Sequence, residues 1–222
     1  NKGFEMKKYI FCMKGIVYKE LIRFLKQKSR FFSALVRPLL WLFVFSIGFK
    51  SVLELEIIEP YENYITYETY IIPGLVGMIL LFNGMQSSLT MIFDREMGSM
   101  KILLTSYINR NYLLFCKMFA TAIVSTLQAI TFLLVAKAYG IDISYTGMLL
   151  TIPIIMISSI ILNAFALFIS YVIKQLENFA TVMNFVIFPM FFLSSALYPL
   201  WKIKDSSLLL FNISFSITSL LF

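Results

Sequence analysis

Residues 70–104 read YIIPGLVGMILLFNGMQSSLTMIFDREMGSMKILL. From Ile71 to Phe93 no side chain carries a charge, and the run stops at Asp94, Arg95 and Glu96. A helix needs about 20 mainly apolar residues to cross the hydrocarbon core of a bilayer. Residues 71–93 therefore predict a membrane span, and the charges that follow predict its exit into water. The same test outward along the chain predicts spans at about 31–49, 112–136, 148–173 and 179–200. A sixth apolar run, 206–222, has about 17 residues, the lower limit for spanning, and reads as re-entrant or partial.

Composition agrees. Of the 222 residues 59% are hydrophobic, 23 are Phe, only 14% are charged, and mean hydropathy is +0.84. Soluble domains run at about 45–50% apolar and about 25% charged, and a fold of this size cannot hide the excess from water. The expected class is an all-α integral membrane protein: five transmembrane helices, a short or incomplete sixth, an amphipathic interfacial helix within 1–30, and a membrane region over 31–222. The chain has no histidine, which removes His-based triads, most catalytic zinc sites and HExxH. No catalytic or metal site is expected. Cys12 and Cys116 follow no metal spacing and read as reduced structural thiols. Residues 1–30 are too charged to read as a secretory signal.

Lys and Arg counts orient the spans. Lys2, Lys7, Lys8, Lys14, Lys19, Arg23, Lys26, Lys28 and Arg30 precede the first span, whereas residues 50–70 hold Lys50 against Glu54, Glu56, Glu59, Glu62 and Glu68. The next loop is basic again. The expected orientation puts the N-terminus in the cytoplasm, the acidic loop outside and residues 94–111 inside. The net charge of +7 then belongs to anionic lipid, and nucleic acid is not an expected partner. Within 4–30, Tyr9, Ile10, Met13, Ile16, Val17, Leu21, Phe24 and Leu25 recur at helical spacing with lysines on other faces, the pattern of a helix lying in the interface.

Residues 93–112, FDREMGSMKILLTSYINRNY, read as a short amphipathic helix. Met97, Met100 and Leu104 share a stripe with Leu103 beside it, while Ser99, Lys101 and Thr105 face away. Asp94 and Glu96 sit where a helix N-terminus favours negative charge. By periodicity alone such a segment is as readily a turn between two spans as a docking site.

The run 70–104 resembles the membrane subunits of type-2 ABC exporters. The resemblance rests on Pro73 and Gly74 opening the second span, and on Asp94, Arg95, Glu96 and Gly98 leading into a coupling helix. SALVRPLLWLFVFSIGF in the first span and KQLENFATVMNFVIFPMFFLSSALYPLW from Lys174 to Trp201 look most like bacterial permeases associated with pyrroloquinoline-quinone-dependent alcohol oxidation systems. The chain departs from the pattern in lacking a Pro near Tyr107, and it reads FNISFSITSLLF where relatives carry an Asn-Pro motif and a sixth span. The resemblance implies a homodimeric permease in a bacterial inner membrane, driven by a separate ATPase subunit that holds ATP and Mg. This chain has no GxxxxGK[ST] loop and is expected to be no enzyme and to bind no cofactor itself. The implied ATPase contacts lie in 94–106: Glu96, Gly98, Ser99, Met100, Lys101, Leu103 and Leu104.

Polar groups inside the spans are costly unless they face protein or water. Asn83, Gln86, Gln128, Asn163 and Asn184 qualify, and hydrogen bonding between helices is the commoner use. Asn83, Gln86 and Asn184 are the polar candidates for lining a pathway, with Phe191 and Phe192, beside Phe188 and Pro189, as a hydrophobic gate. Arg37 is expected near the inner boundary, snorkelling to phosphates, and Trp41, Tyr198 and Trp201 are expected to include interface anchors. No charge is expected at mid-membrane, which argues against proton- or ion-coupled transport. The competing readings are an ATP-independent scaffold, a secondary transporter, for which no internal repeat is visible, and an intramembrane enzyme, whose motifs are missing.

Overall fold

The computed structural model describes residues 2–26, 32, 35–44, 67–98, 108–141, 143–173, 181 and 185. Among these there is helix and no strand. In chain order the helices are α1 (Lys2–Lys26), α2 (Leu35–Val44), α3 (Tyr67–Glu96), α4 (Arg110–Ala138) and α5 (Tyr145–Val172). The last three are each long and apolar enough to cross a membrane. Except at the end of α5, which stops at Val172, they overrun the expected spans by a few residues, since hydropathy marks the apolar stretch and helical hydrogen bonding continues past it. Of the expected first span, Phe32 and Leu35–Val44 are described. The fifth and sixth fall outside the described residues apart from Thr181 and Phe185.

Contacts give the topology. Asn83 donates to Gln128, Ser87 and Thr121 hydroxyls lie 2.9 Å apart, and Asp94 is 3.7 Å from Lys117. As α3 numbers rise their α4 partners fall, so the two helices are antiparallel. Gly84 meets Asn163, and Arg95 meets Ser170; here the numbers rise together, so α3 and α5 are parallel. α3 is the centre of the bundle. Two-thirds of its apolar window is buried, 67%, against 33% for α5, whose Leu150, Ile157, Phe165 and Phe168 remain on the surface. Ile71, Leu75, Met78, Ile79 and Leu80 of α3, Phe132 and Leu133 of α4, and Ile155 and Leu162 of α5 form the core, closed on one side by Leu35 and Leu42 of α2.

Gly84 sets the spacing of α3 and α5. A Cβ there would lie 3.4 Å from both the Asn163 Oδ1 atom and the Leu162 carbonyl oxygen. A small residue at this point lets the two backbones approach, the device by which helices associate in lipid, where burial of apolar surface supplies little drive. Pro73 and Pro153 lie inside α3 and α5. Beside Pro73 a cavity of about 310 Å³ opens between Ile72, Pro73 and Gly77 on one side and Ser144, Gly147 and Thr151 on the other.

α1 packs on α4. Tyr9 and Tyr112 meet edge to face at 4.8 Å, and the Tyr112 hydroxyl donates to the Tyr9 carbonyl at 2.9 Å. The packed side carries Tyr9, Met13, Ile16, Val17 and Leu21, with Phe24 buried. Ile10 and Leu25, expected on that side, are exposed instead with Phe11 and Tyr18. The helix is therefore apolar on two sides, one toward α4 and one away from the bundle, because a hydropathy pattern cannot separate protein contact from lipid contact.

Candidate functional site

The charged end of α3 is where the chain gathers its polar contacts. Carboxylates at a helix C-terminus oppose the macrodipole, so Asp94 needs a compensating cation, and Lys117 of α4 provides it at 3.7 Å. Arg95 turns the other way: its Nη2 donates to the Ser170 carbonyl of α5 at 3.2 Å. That carbonyl lies in the last turn of α5, where the helix leaves its oxygens without partners, and a cation there also complements the dipole. One short sequence thus clamps α3 to both neighbours.

The clamp corrects the reading of Asp94 and Glu96 as the start of a new helix. α3 runs through them to Glu96, and Gly98, at φ 71°, ends it. The Met97 N–H returns to the Phe93 carbonyl at 2.9 Å and the Gly98 N–H to the Arg95 carbonyl at 3.2 Å, a turn whose left-handed residue suits glycine. Hydropathy places a boundary at the first charge, yet the helical hydrogen bonds run one turn further. Glu96 and Met97 are exposed at this exit. Ser99, Met100, Lys101, Leu103 and Leu104 lie outside the described residues. The chain is described again at Ile108, and by Tyr112 it is held against α1. Segment 99–107 is thus bounded on both sides by anchored helix ends.

Deeper in the bundle the polar residues divide by face. Asn83 is buried and donates to Gln128, which is fully buried. One turn on, the Thr121 hydroxyl donates to the Lys117 carbonyl at 3.0 Å, which leaves its oxygen to accept from Ser87. Asn163 donates to the Ser159 hydroxyl at 3.3 Å. Among the described residues Ser88 Oγ, Gln128 Nε2 and Asn163 Oδ1 are buried without a hydrogen-bond partner. Gln86 points elsewhere: it is exposed. Asn184, Phe191 and Phe192 lie outside the described residues, as do Tyr198 and Trp201.

Arg37 departs from expectation. Its guanidinium carbon stands 4.0 Å from the centroid of the Phe82 ring, and Phe82 is half-way along α3. The cation does not reach back to the charged end. Trp41, one turn further along α2, packs against the core where an interface anchor was expected. Span prediction placed Arg37 by its distance from Phe31, whereas its position is decided by which residue of α3 lies opposite. Lys117 and Ser170, which complete the clamp, were likewise invisible as a site, because Ser170 contributes its backbone carbonyl and Lys117 reads as an ordinary boundary charge.

Among the described residues no group of three or more His, Cys, Asp or Glu is placed to hold a metal ion. What the geometry defines is a multi-pass membrane protein whose central helix is tied at one end to two neighbours and leads there into a short connecting segment. Residues 13–218 match the ABC-2 type transporter family, and the chain belongs to it. It is also similar, at 24% identity over 187 residues, to a protein of Cyanophora paradoxa named as a transport permease, ycf38; the match takes in 83% of this chain and 63% of the relative's length. No solved structure matches.

Proposed function

We propose that this chain is the membrane-spanning permease of an ATP-driven exporter. Two copies form the substrate path, and a separate ATPase subunit, carrying ATP and Mg, docks on residues 94–106 from the cytoplasm. Family membership supports a transport role, and the name of the Cyanophora relative agrees with it. The resemblance of the first span and of residues 174–201 supports placement among the permeases associated with pyrroloquinoline-quinone-dependent alcohol oxidation, in a bacterial inner membrane with the N-terminus inside.

The observation that carries the coupling reading is the clamp at the base of α3. A push on 99–107 meets Asp94–Lys117 and Arg95–Ser170 on one side and Tyr112–Tyr9 on the other. A displacement there acts on α1, α3, α4 and α5 together, because close-packed helices shift as bodies and do not yield locally. Exposed Glu96, with Ser99 and Lys101, would meet the ATPase, while Met100, Leu103 and Leu104 would seat the segment beneath the bundle. Gln86, Asn184, Phe191 and Phe192 are the lining candidates. Asn83 faces Gln128 inside the subunit and would reach the path only if α3 turned.

The test is co-purification from detergent-solubilised membranes. An ATP-binding subunit is expected to come down with the chain and to be lost when Glu96 and residues 99–101 are replaced by alanine. Gly98→Ala, strained by about 1–2 kcal/mol at its left-handed φ, is expected to retain the partner while lowering transport per ATP hydrolysed. A chain that purifies with no ATPase would favour a scaffold and overturn the reading.

A further inference from the structure

Phe82 stands at the middle of a 30-residue helix, about 22 Å from either end at 1.5 Å per residue. The Arg37 guanidinium against its ring is therefore a cation at the depth where a charge is least welcome in lipid. It is exposed on the surface of the subunit, and among the described residues its contact is with the ring, with no carboxylate beside it. Phe82 holds the cation through the face of its π-system. That contact leaves the guanidinium N–H donors, five in a planar fork, without acceptors among the described residues.

Gln86 lies one helical turn beyond Phe82 on the same face of α3. It too is exposed, and its carboxamide makes no hydrogen bond among the described residues. Arg37 thus sets a cation on the Phe82 ring and Gln86 a neutral donor one helical turn along α3, and Val36, Leu40 and Phe43 of α2, the helix that carries Arg37, are exposed apolar residues. Ionisable groups inside membrane segments mark substrate paths or internal pairs, and no internal pair is present here among the described residues.

We infer that Arg37, Phe82 and Gln86 form an anion-recognition site at mid-depth whose ligand is the phosphate or carboxylate head of an amphiphile, with its chain lying along the apolar surface of α2. A planar guanidinium matches two oxygens of such a head at once. The inference names a substrate class for the proposed permease and rests on that reading only for what brings the ligand there. Binding itself needs neither ATP nor a partner subunit, so failure of one leaves the other standing.

Trp41 makes the site observable, being one helical turn from Arg37. With Trp201→Phe it is the remaining tryptophan of the two. The purified full chain in neutral detergent is titrated with phosphatidylglycerol carrying brominated acyl chains, which quench nearby tryptophan. Saturable quenching is expected, with brominated phosphatidylcholine at least about tenfold weaker. Arg37→Gln is expected to weaken phosphatidylglycerol by about tenfold or more, as loss of a bidentate charge-assisted contact does. Arg37→Lys keeps the charge and guards against misfolding but loses the planar fork, so it should bind more weakly than the parent and more tightly than Arg37→Gln, and Phe82→Leu should also fall between. Equal quenching by the two lipids, or an Arg37→Gln variant that binds as the parent does, would overturn the site. Displacement of the brominated lipid by inorganic phosphate would overturn the amphiphile as its ligand.

Discussion

Replacing Asn83 by Leu removes the hydrogen bond that Gln128 Oε1 receives across α3 and α4. Both side chains are nearly sealed from solvent, at 7% and 0% exposure, and Gln128 Nε2 has no partner to begin with. Asn83→Leu thus strands a whole buried carboxamide. Leaving such a group unpaired costs about 1–3 kcal/mol, while hydrogen bonds between membrane helices average about 0.6 kcal/mol and reach about 1.7. The expected loss is about 1–2 kcal/mol. Gln128→Leu strands only the Asn83 amide and relieves the unpaired Nε2, so it should cost less, about 0–1 kcal/mol. The double variant leaves apolar groups of similar size facing each other and should fall within about 0.5 kcal/mol of the parent, because matched apolar replacement of both partners is nearly neutral. The assay is detergent-induced unfolding in mixed micelles, followed by thiol labelling of Cys116, which is fully buried when folded, in a Cys12→Ser background. Additivity, with the double variant losing the sum of the two singles to within about 0.5 kcal/mol, would refute the argument and return Asn83 to a role outside the α3–α4 contact.

Two further outcomes follow from the same contacts. Gly84→Ala should change stability by less than about 1 kcal/mol, since its Cβ would touch Asn163 and Leu162 at 3.4 Å without overlap and alanine is the better helix former. Gly84→Val carries two more carbons into the same space and should cost about 1–3 kcal/mol; equal tolerance of both in an unfolding assay would show that α3 and α5 are not in close contact. On α1, burial pushes the Cys12 thiol above its usual range. The reactive thiolate is therefore scarcer at neutral pH than in the unfolded chain, and the midpoint of maleimide labelling against pH should move upward on folding. A midpoint at or below that of the denatured chain would contradict the packing of α1.

Much of the architecture was legible along the chain because lipid makes one demand of a spanning segment, a sustained apolar helix, and that demand leaves its mark residue by residue. The runs ending at Phe93, starting at Tyr112 and starting at Met148 each correspond to a helix. What misled was locality. Asp94 and Glu96 suit the start of a helix because acidic residues favour that place; they belong to the end of α3, where Lys117, distant in sequence, pairs with Asp94.

By itself the sequence determined that this chain lives in a membrane, that its described segments are helical, and that it belongs with the ABC-2 transporters, since hydropathy and the Asp-Arg-Glu-x-Gly run are properties of contiguous residues. Only the tertiary structure decided which polar groups are spent on holding helices together and which stay open. Asn83 and Gln86 are three residues apart on one helix, yet one is buried against Gln128 and the other exposed, because antiparallel α4 covers the side of α3 that carries Asn83 and not the side that carries Gln86. Arg37 was placed in the same way. Its depth follows from the residue of α3 that faces it, a relation between two helices that spacing along either one does not contain.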